Sequence, residues 1–246
     1  IFNVNIIKLN AIDSTNNYLK DLCKNTTVID GTLVVANKQT QGRGQMGAKW
    51  QSIQGQSLTF SVFKRFHGLH IKHQPSIAFA VSIAIKNTLE KLQIPQISIK
   101  WPNDIMSYSK KLCGVLIENQ VEGSSIVSSI IGIGLNVNET EFPELPQASS
   151  MRLSTGAVFN HDEIIELMGN EIQKQMEYLQ GENQLALKST YEASLFRRDM
   201  VSTFEDAEGS KFNGIISGVA ASGELLVQKE NESVQSYELK QIKLLF

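Results

Sequence analysis

The run KWPND at residues 100–104 constrains the fold of this chain more than any other segment. It places a cation, an indole, a rigid proline, an amide and a carboxylate in consecutive positions. Ile94, Ile97 and Ile99 precede it and predict a buried strand, so the polar run lies where a strand emerges. Burying such groups costs roughly 2–7 kcal/mol each unless they find hydrogen-bond partners. The fold must therefore bring a ligand or a second polar segment to this strand end.

The second polar segment is a glycine-rich loop upstream. Residues 31–37 predict a strand, and the sequence QTQGRGQMGAKW follows at residues 39–50. Between Gly31 and Leu89 the chain has no Asp or Glu but seven Lys and Arg residues, whereas the whole chain is nearly balanced, with 23 Lys and Arg against 25 Asp and Glu. Positive charge concentrated around a glycine loop is typical of a site for a small anionic ligand. A nucleic-acid surface would more often raise the charge of the whole domain.

The order of the predicted helices and strands favours an α+β protein in two parts. Strands are predicted at residues 57–63, 111–118 and 125–134, and helices at residues 75–92, 162–179 and 183–195. After Asp199 short strands alternate with turns, which is typical of a small antiparallel barrel. We expect a mixed sheet with helices over residues 1–196 and a barrel over residues 197–246. Because so small a barrel is marginally stable alone, we expect it to dock on the larger domain.

The composition indicates in which cellular compartment we expect the protein. No apolar run approaches the roughly 20 residues that a membrane helix needs, and residues 1–5 do not resemble the start of a signal peptide. The two cysteines, Cys23 and Cys113, fit free thiols in a reducing compartment better than a disulfide framework. We therefore expect a cytoplasmic protein that does not associate with a membrane.

Six segments resemble, in order and with sensible separations, the motifs of the biotin–protein ligases. They are STN at residues 14–16, GRGQMGAKW at 42–50, KWPND at 100–104, KLCGVLIE at 111–118, GIGLNVN at 132–138 and, more weakly, ASSM at 148–151. The resemblance covers nearly the full length. It implies a biotin/lipoate ligase-type catalytic domain followed by an SH3-like barrel. The chain is similar to the short form of the family, which lacks an amino-terminal DNA-binding domain, so no binding to DNA is expected.

The resemblance implies a two-step, AMP-forming ligase with biotin and ATP as substrates. The biotin carboxylate attacks the α-phosphate of ATP and gives biotinyl-5′-AMP and pyrophosphate, with Mg²⁺ drawing charge from the phosphates. A specific lysine on the biotin carboxyl carrier domain of a carboxylase then attacks this mixed anhydride. The residue chemistry fits, because bringing two anions together requires cations and backbone N–H groups but no covalent enzyme nucleophile.

The resemblance also assigns roles to individual residues. The catalytic candidates are Lys111, Arg43 and Lys100, and removing a charge-stabilising donor such as Lys111 typically costs about 10²–10³ in rate. Biotin binding is implied for Ser14, Thr15, Gln39, Gly42, Arg43, Lys111, Gly114 and Leu116. ATP binding is implied for Gly44, Lys49, Trp50, Asn103, Asp104 and Asn136. Asp104 is also a candidate ligand for Mg²⁺.

Some of these residues have plainer alternative roles. Ser14 is also a good helix cap, and Arg43 could instead stabilise its loop at the surface. Trp101 is more typical of core than of the site. Lys110 lies on the opposite face of the strand from Lys111, so we expect it to face solvent. His67, His70 and His73 lack acidic or thiol partners nearby and are expected to be solvated loop residues rather than metal ligands.

Three other functions stay open. A lipoate ligase or octanoyltransferase shares the fold, a biotin sensor would bind without catalysis, and a nucleic-acid module would use the small barrel. The last is disfavoured because the barrel segment is acidic. The sequence leaves a homodimer open and does not identify the carrier.

The glycine loop departs from the commonest family pattern. Gln45 and Ala48 stand where arginines are usual, and Met46 where one is frequent. Because the first of these arginines helps to retain the reactive adenylate, we hypothesise that this protein releases biotinyl-AMP more readily than its arginine-bearing relatives.

Overall fold

The computed structural model describes residues 5–181 and 183–246, and its twelve strands form two sheets. The strands are β1 (Ile6–Ile12), β2 (Leu33–Gln39), β3 (Ser57–His70), β4 (Ile97–Lys100), β5 (Asp104–Ser107), β6 (Lys110–Glu122), β7 (Ser125–Asn136), β8 (Val201–Asp206), β9 (Lys211–Val219), β10 (Leu225–Lys229), β11 (Val234–Tyr237) and β12 (Ile242–Leu245). The helices are α1 (Thr15–Asn25), α2 (Gln74–Lys91), α3 (Met151–Thr155), α4 (His161–Gln180) and α5 (Gln184–Ala193).

The first sheet has seven strands in the order β1-β2-β3-β7-β6-β5-β4. Its β1–β2 pair is parallel and the other pairs are antiparallel, so the predicted mixed sheet is confirmed. Successive residues of β2 separate into two apolar layers, because strand side chains alternate between faces. Leu33 and Val35 join the main core with α2 and α4, whereas Val34 joins a smaller core under α1.

Helix α2 is the centre of the main core. Its sequence carries apolar residues on nearly every side, and Ile77, Val81 and Ile85 are fully buried, as their spacing predicts. Helices α4 and α5 both pack against it. Helix α1 packs on the opposite face against β2, β3 and β7, and it leaves part of that face free for a site.

Strand β3 is longer than the sequence predicted. It continues from the predicted end at Phe63 to His70 because it pairs with β7 over almost its whole length, across one irregularity between Arg65 and Leu69. His67 and His70 therefore lie in a strand rather than in a loop, and both are exposed. This corrects the loop assignment of these two histidines.

The second sheet has five antiparallel strands in the order β11-β10-β9-β8-β12 and packs against the KWPND segment. The Trp101 indole donates to the Gly223 carbonyl at 2.9 Å, and Glu192 on α5 accepts from the Val219 amide at 2.9 Å. Trp101 is thus half-buried at the contact between the two sheets, where it packs against the main core. The α+β class is confirmed, whereas the domain boundary at residue 197 stays a prediction. No helix in the described part of the chain is long and apolar enough to cross a membrane.

Candidate active site

A cavity of about 270 Å³ lies on the α1 face of the seven-stranded sheet. Its floor consists of glycines where β6 and β7 pair, with Gly114 opposite Gly134 and Leu116 opposite Gly132. A Cβ atom on Gly134 would lie 2.2 Å from the Trp50 indole, and one on Gly132 would lie 2.3 Å from Asn16 Oδ1. Glycine is therefore required here, because an indole and an amide rest directly on the sheet backbone.

One wall of this first cavity is a network of buried polar groups at the start of α1. Gln39 Oε1 accepts from the Thr15 amide at 2.8 Å, which satisfies an otherwise free N–H in the first turn of the helix. Ser61 Oγ donates to Asn16 Oδ1 at 2.6 Å and lies 2.6 Å from the Thr15 hydroxyl. Ser14 occupies the N-cap position, but its side chain makes no capping hydrogen bond, so its hydroxyl can serve a ligand in the cavity.

The glycine-rich loop folds back on itself as a small hairpin over the cavity. The Trp50 amide donates to the Gly42 carbonyl at 2.9 Å, and the Gly44 amide donates to the Ala48 carbonyl at 2.7 Å. A Cβ on Gly42 would lie 2.4 Å from the Trp50 carbonyl oxygen, so Gly42 permits the close approach of the two arms. Gly42 is not among the residues that line the cavity, although Gly44 is.

Arg43 connects this loop to α1 and β6. Its guanidinium donates to Asn17 Oδ1 at 2.6 Å and to Glu118 Oε1 at 2.9 Å. Burial alone would raise the pKa of Glu118, but hydrogen bonds from Asn16 and Arg43, with the charges of Arg43 and Lys20, hold that pKa below its usual range. Arg43 thus lines the cavity and also anchors the loop, and its contact to a ligand stays a prediction.

Lys111 lies where the first cavity meets a second one. Its Nζ atom is 2.7 Å from Asp104 Oδ1 and 5.8 Å from the centre of the Trp50 ring. The side chain of Lys110 is exposed and reaches the carbonyl of Pro146 instead, as the alternation of a strand predicts. Lys49, Trp50 and Lys111 contribute to the walls of both cavities.

The second cavity, of about 680 Å³, lies under the segment of residues 139–148. Its wall is mainly apolar and includes Ile53, Phe142 and Leu145. Asn136 also lines it, with its amide held by the Ser149 carbonyl at 3.0 Å. Glu139 lies at its edge with 1% of its surface exposed, and burial raises the pKa of its carboxyl group. Ser57 donates to one carboxyl oxygen of Glu139, and the other has no partner among the described residues.

The structure brings most of the predicted site residues together, but Lys100 lies apart. Ser14, Thr15, Gln39, Gly44, Asn103, Asp104, Gly114 and Leu116 all line the first cavity. Lys100 lines neither cavity, because its ammonium lies 5.0 Å from the centre of the Phe246 ring. Burial lowers the pKa of Lys100, partly offset by the nearby Asp104 carboxylate. A catalytic role for Lys100 stays a prediction without a geometric basis.

Several residues of the site had no assigned role from the sequence. Asn16, Ser61, Glu118, Gly132 and Gly134 all belong to the cavity or to the network around it. Strand alternation could have found three of them, because Glu118 shares a face of β6 with Gly114, and Gly132 and Gly134 share one with Asn136. Ser61 is one of the polar residues that alternate with apolar ones along the buried part of β3, and this alternation was a further signal.

Residues 9–136 match the Biotin/lipoate A/B protein ligase family, which is more than half of the chain. The chain belongs to this family. The Bifunctional ligase/repressor BirA of Bacillus spizizenii is 36% identical over 166 residues, covering 63% of this chain and 50% of the relative. That of Escherichia coli is 27% identical over 230 residues, covering 90% of this chain and 68% of the relative. This chain thus spans about half the length of the Bacillus relative.

A solved structure resembles the family member described here over nearly its whole length. The biotin protein ligase from Aquifex aeolicus, in complex with biotin and ATP, is 27% identical with a TM-score of 0.80, and each chain is covered to 99%. The predicted resemblance to biotin–protein ligases is confirmed by these comparisons, and so is the predicted fold class.

Proposed function

We propose that this protein is an ATP-dependent biotin–protein ligase. It converts biotin and ATP to biotinyl-5′-AMP and transfers the biotinyl group to a lysine of a biotin carboxyl carrier domain. The observation that carries the proposal is the position of Lys111, which contributes to the walls of both cavities. A cation at that point can neutralise both a carboxylate that arrives from one cavity and a phosphate that arrives from the other.

The first cavity suits the ring system of biotin. It is small, and its floor of glycine backbone beside the Trp50 indole fits a compact bicyclic ring. Its polar wall offers the Ser14 hydroxyl, the Asn16 amide and the Gln39 amide to the ureido group, which has both hydrogen-bond donors and acceptors. Binding from this end would leave the valeryl carboxylate directed toward Lys111 at the other.

The second cavity suits the nucleotide. Its apolar wall can cover an adenine ring, and the Trp50 indole at the boundary offers an aromatic face for stacking. Lys49 and Lys111 place two cations where the triphosphate would lie. The carboxylate and the α-phosphate would then meet beside Lys111, whose charge stabilises the developing negative charge of the transition state.

The donor set fits a magnesium ion that arrives with the nucleotide. The described residues hold no group of three or more acidic, histidine or cysteine side chains that could hold a metal ion. Mg²⁺ in nucleotide sites is typically bound by one or two carboxylates together with phosphate oxygens and water. Asp104, beside Lys111, can supply such a carboxylate. The ion would neutralise phosphate charge during adenylation.

Transfer to the carrier needs no nucleophile from this chain. Cys113 is the cysteine nearest the site, but it is fully buried, and burial raises the pKa of its thiol above its usual range. The acceptor lysine of the carrier would therefore attack the adenylate directly. Free thiols at Cys23 and Cys113 fit reaction in the reducing cytoplasm.

The test is a reconstituted reaction with purified carrier domain. Protein, ATP labelled at the α-phosphate and Mg²⁺ are incubated with biotin, lipoate or octanoate, and both AMP release and carrier acylation are measured. Of the three acids, we expect only biotin to give labelled AMP and a modified carrier. A carrier in which arginine replaces the acceptor lysine should not be modified. Activity with lipoate or octanoate but not biotin would replace the proposed substrate. Biotin binding without AMP formation would indicate a sensor.

A further inference from the structure

We infer that Glu118 is a positioning residue that joins the polar wall of the first cavity to the glycine loop. Through this single carboxylate, recognition of the ligand's polar head and closure of the loop become coupled. The inference rests on the proposed function, because it names biotin as the ligand whose binding is coupled. The link that Glu118 makes between the cavity wall and the loop can itself be measured without any ligand.

The first half of this link is the contact between Glu118 and Asn16 in the cavity wall. Glu118 Oε2 accepts a hydrogen bond from Asn16 Nδ2 at 2.9 Å. Because an ionised carboxylate only accepts hydrogen bonds, it fixes the orientation of the Asn16 amide and turns Oδ1 toward Ser61, which donates to it at 2.6 Å. Asn16 rests against the backbone of Gly132, so the amide has little freedom to move aside. The charge of Glu118 thereby sets the donor and acceptor pattern of the cavity wall.

The second half of this link is the contact between Glu118 and the glycine loop. Arg43 donates from Nη2 to Glu118 Oε1 at 2.9 Å, and its other amino group bonds Asn17. Within the described residues, Arg43 carries the hydrogen bonds that side chains of residues 42–50 make to the rest of the protein. Lys20 lies 3.7 Å from the same carboxylate oxygen and adds positive charge. Loss of Glu118 therefore releases the loop on one side and the amide on the other.

The exposure of the pair separates this role from plain structural support. The Arg43 side chain is 41% exposed and that of Glu118 is 22% exposed. Ion pairs that water reaches contribute little to global stability, so their removal is not expected to unfold the protein. A substitution at Glu118 should instead appear in ligand affinity and in local order of the loop.

The experiment compares Glu118→Gln with Glu122→Gln. Glu122 ends the same strand and is exposed, and its side chain makes no hydrogen bond or salt bridge among the described residues, so it controls for loss of one negative charge. Three quantities are measured: the KM and kcat for biotin in adenylate formation, the melting temperature, and the rate of trypsin cleavage after Arg43 and Lys49 with and without biotin. A third variant, Asn17→Ala, weakens the hold on Arg43 without touching the Asn16 amide.

We expect Glu118→Gln to raise the KM for biotin about tenfold, as for one lost charge-assisted hydrogen bond, with little change in kcat or melting temperature. Trypsin should cut its loop faster, and biotin should no longer slow the cleavage. Asn17→Ala should speed cleavage with a smaller rise in KM. Glu122→Gln should resemble the wild type in every measurement.

Two outcomes would overturn the inference. In one, Glu118→Gln matches Glu122→Gln in both the KM for biotin and the rate of trypsin cleavage, which would mean that Glu118 does not link the cavity wall to the loop. In the other, its melting temperature, KM and kcat all deteriorate together, which indicates general structural damage. If the wild type does not adenylate biotin but trypsin still cleaves Glu118→Gln faster, the proposed substrate would be rejected. The link between Glu118 and the loop would be supported.

Discussion

The two cavities beside Lys111 are built in opposite ways. Strands, the start of a helix and the glycine loop form the first, and its polar wall is a network in which Thr15, Asn16 and Ser61 have partners. A non-helical segment, residues 139–148, forms much of the second, and its wall is mainly apolar. Glu139, at its edge, keeps one buried carboxyl oxygen without a partner in the described structure.

This difference indicates two kinds of recognition. Groups held by strands and by each other are already arranged for a ligand, so a ligand that matches them loses little free energy to ordering. A loop-built apolar wall adapts to its ligand and contributes burial rather than directional hydrogen bonds. We expect substitutions in the first cavity to act on biotin and those in the second to act on ATP, with Lys111 affecting both.

The largest effect is expected from Lys111→Ala. Because its ammonium contributes to both cavities, the variant should lose about 10²–10³ in the rate of adenylate formation, measured by release of pyrophosphate. Lys110→Ala removes the neighbouring cation on the opposite side of the strand and should retain nearly full activity. Equal losses in the two variants would mean that Lys111 acts only through its charge on the strand and not through its position.

Gly132→Ala should damage the first cavity selectively. The new Cβ would lie 2.3 Å from Asn16 Oδ1, so the amide must move and the polar wall must rearrange. Overpacking of this kind costs about 1–3 kcal/mol, which corresponds to a loss of biotin affinity of roughly 5- to 150-fold. Calorimetry with biotin and with a non-hydrolysable ATP analogue would measure both. A parallel loss of nucleotide affinity would break the separation between the cavities.

Phe142→Ala should damage the second cavity selectively. Phe142 is half-buried in the wall of that cavity, and loss of its apolar contact should raise the KM for ATP about fivefold, equivalent to about 1 kcal/mol. Biotin affinity should be unchanged, since the ring does not line the first cavity. A change in biotin affinity in this variant would count against independent cavities.

Gln45→Arg should reduce escape of the reaction intermediate. Gln45 lines the first cavity, and an arginine there would hold the phosphate of biotinyl-AMP. We expect severalfold less labelling of bystander proteins by the variant, measured with streptavidin after incubation with biotin, ATP and albumin. Met46→Arg is the control, because Met46 is 63% exposed and lies outside the residues that line either cavity. The same reduction in both variants would point to charge alone.

The smallest effect is expected from Glu139→Gln and concerns stability. Burial raises the pKa of Glu139 in the folded state, so its contribution is most favourable below the unfolded pKa and is lost as pH rises through the folded pKa. The amide resembles the protonated form. The variant should therefore melt at a higher temperature than the wild type at pH 7.5, with the difference vanishing near pH 4. A lower melting temperature at pH 7.5 would contradict this account of the second cavity.

The first cavity was largely predictable from the sequence, because its residues belong to short motifs on strands and at a helix start. The alternation of β6 and β7 fixes which residues face the cavity, and glycine at those positions indicates a close contact. The identity of that contact was not predictable. Trp50 and Asn16 come from distant segments, and only the tertiary fold brings them onto Gly134 and Gly132.

The second cavity and the position of Lys100 were less predictable. Residues 139–148 form no helix or strand, so periodicity gives no orientation for their side chains. Lys100 was grouped with its polar neighbours at a strand end, but the second sheet brings Phe246 next to it and draws it away from the site. The extra length of β3 has the same origin, since pairing with β7 is a long-range interaction.

The two tryptophans of the chain offer separate optical reporters. Trp50 lies at the boundary of both cavities, and its indole nitrogen is buried without a hydrogen-bond partner among the described residues. Trp101 is held at the contact between the sheets by its bond to Gly223. Replacing Trp101 by phenylalanine would leave an intrinsic emission signal that follows occupancy of the site, while replacing Trp50 would leave one that follows the docking of the two sheets.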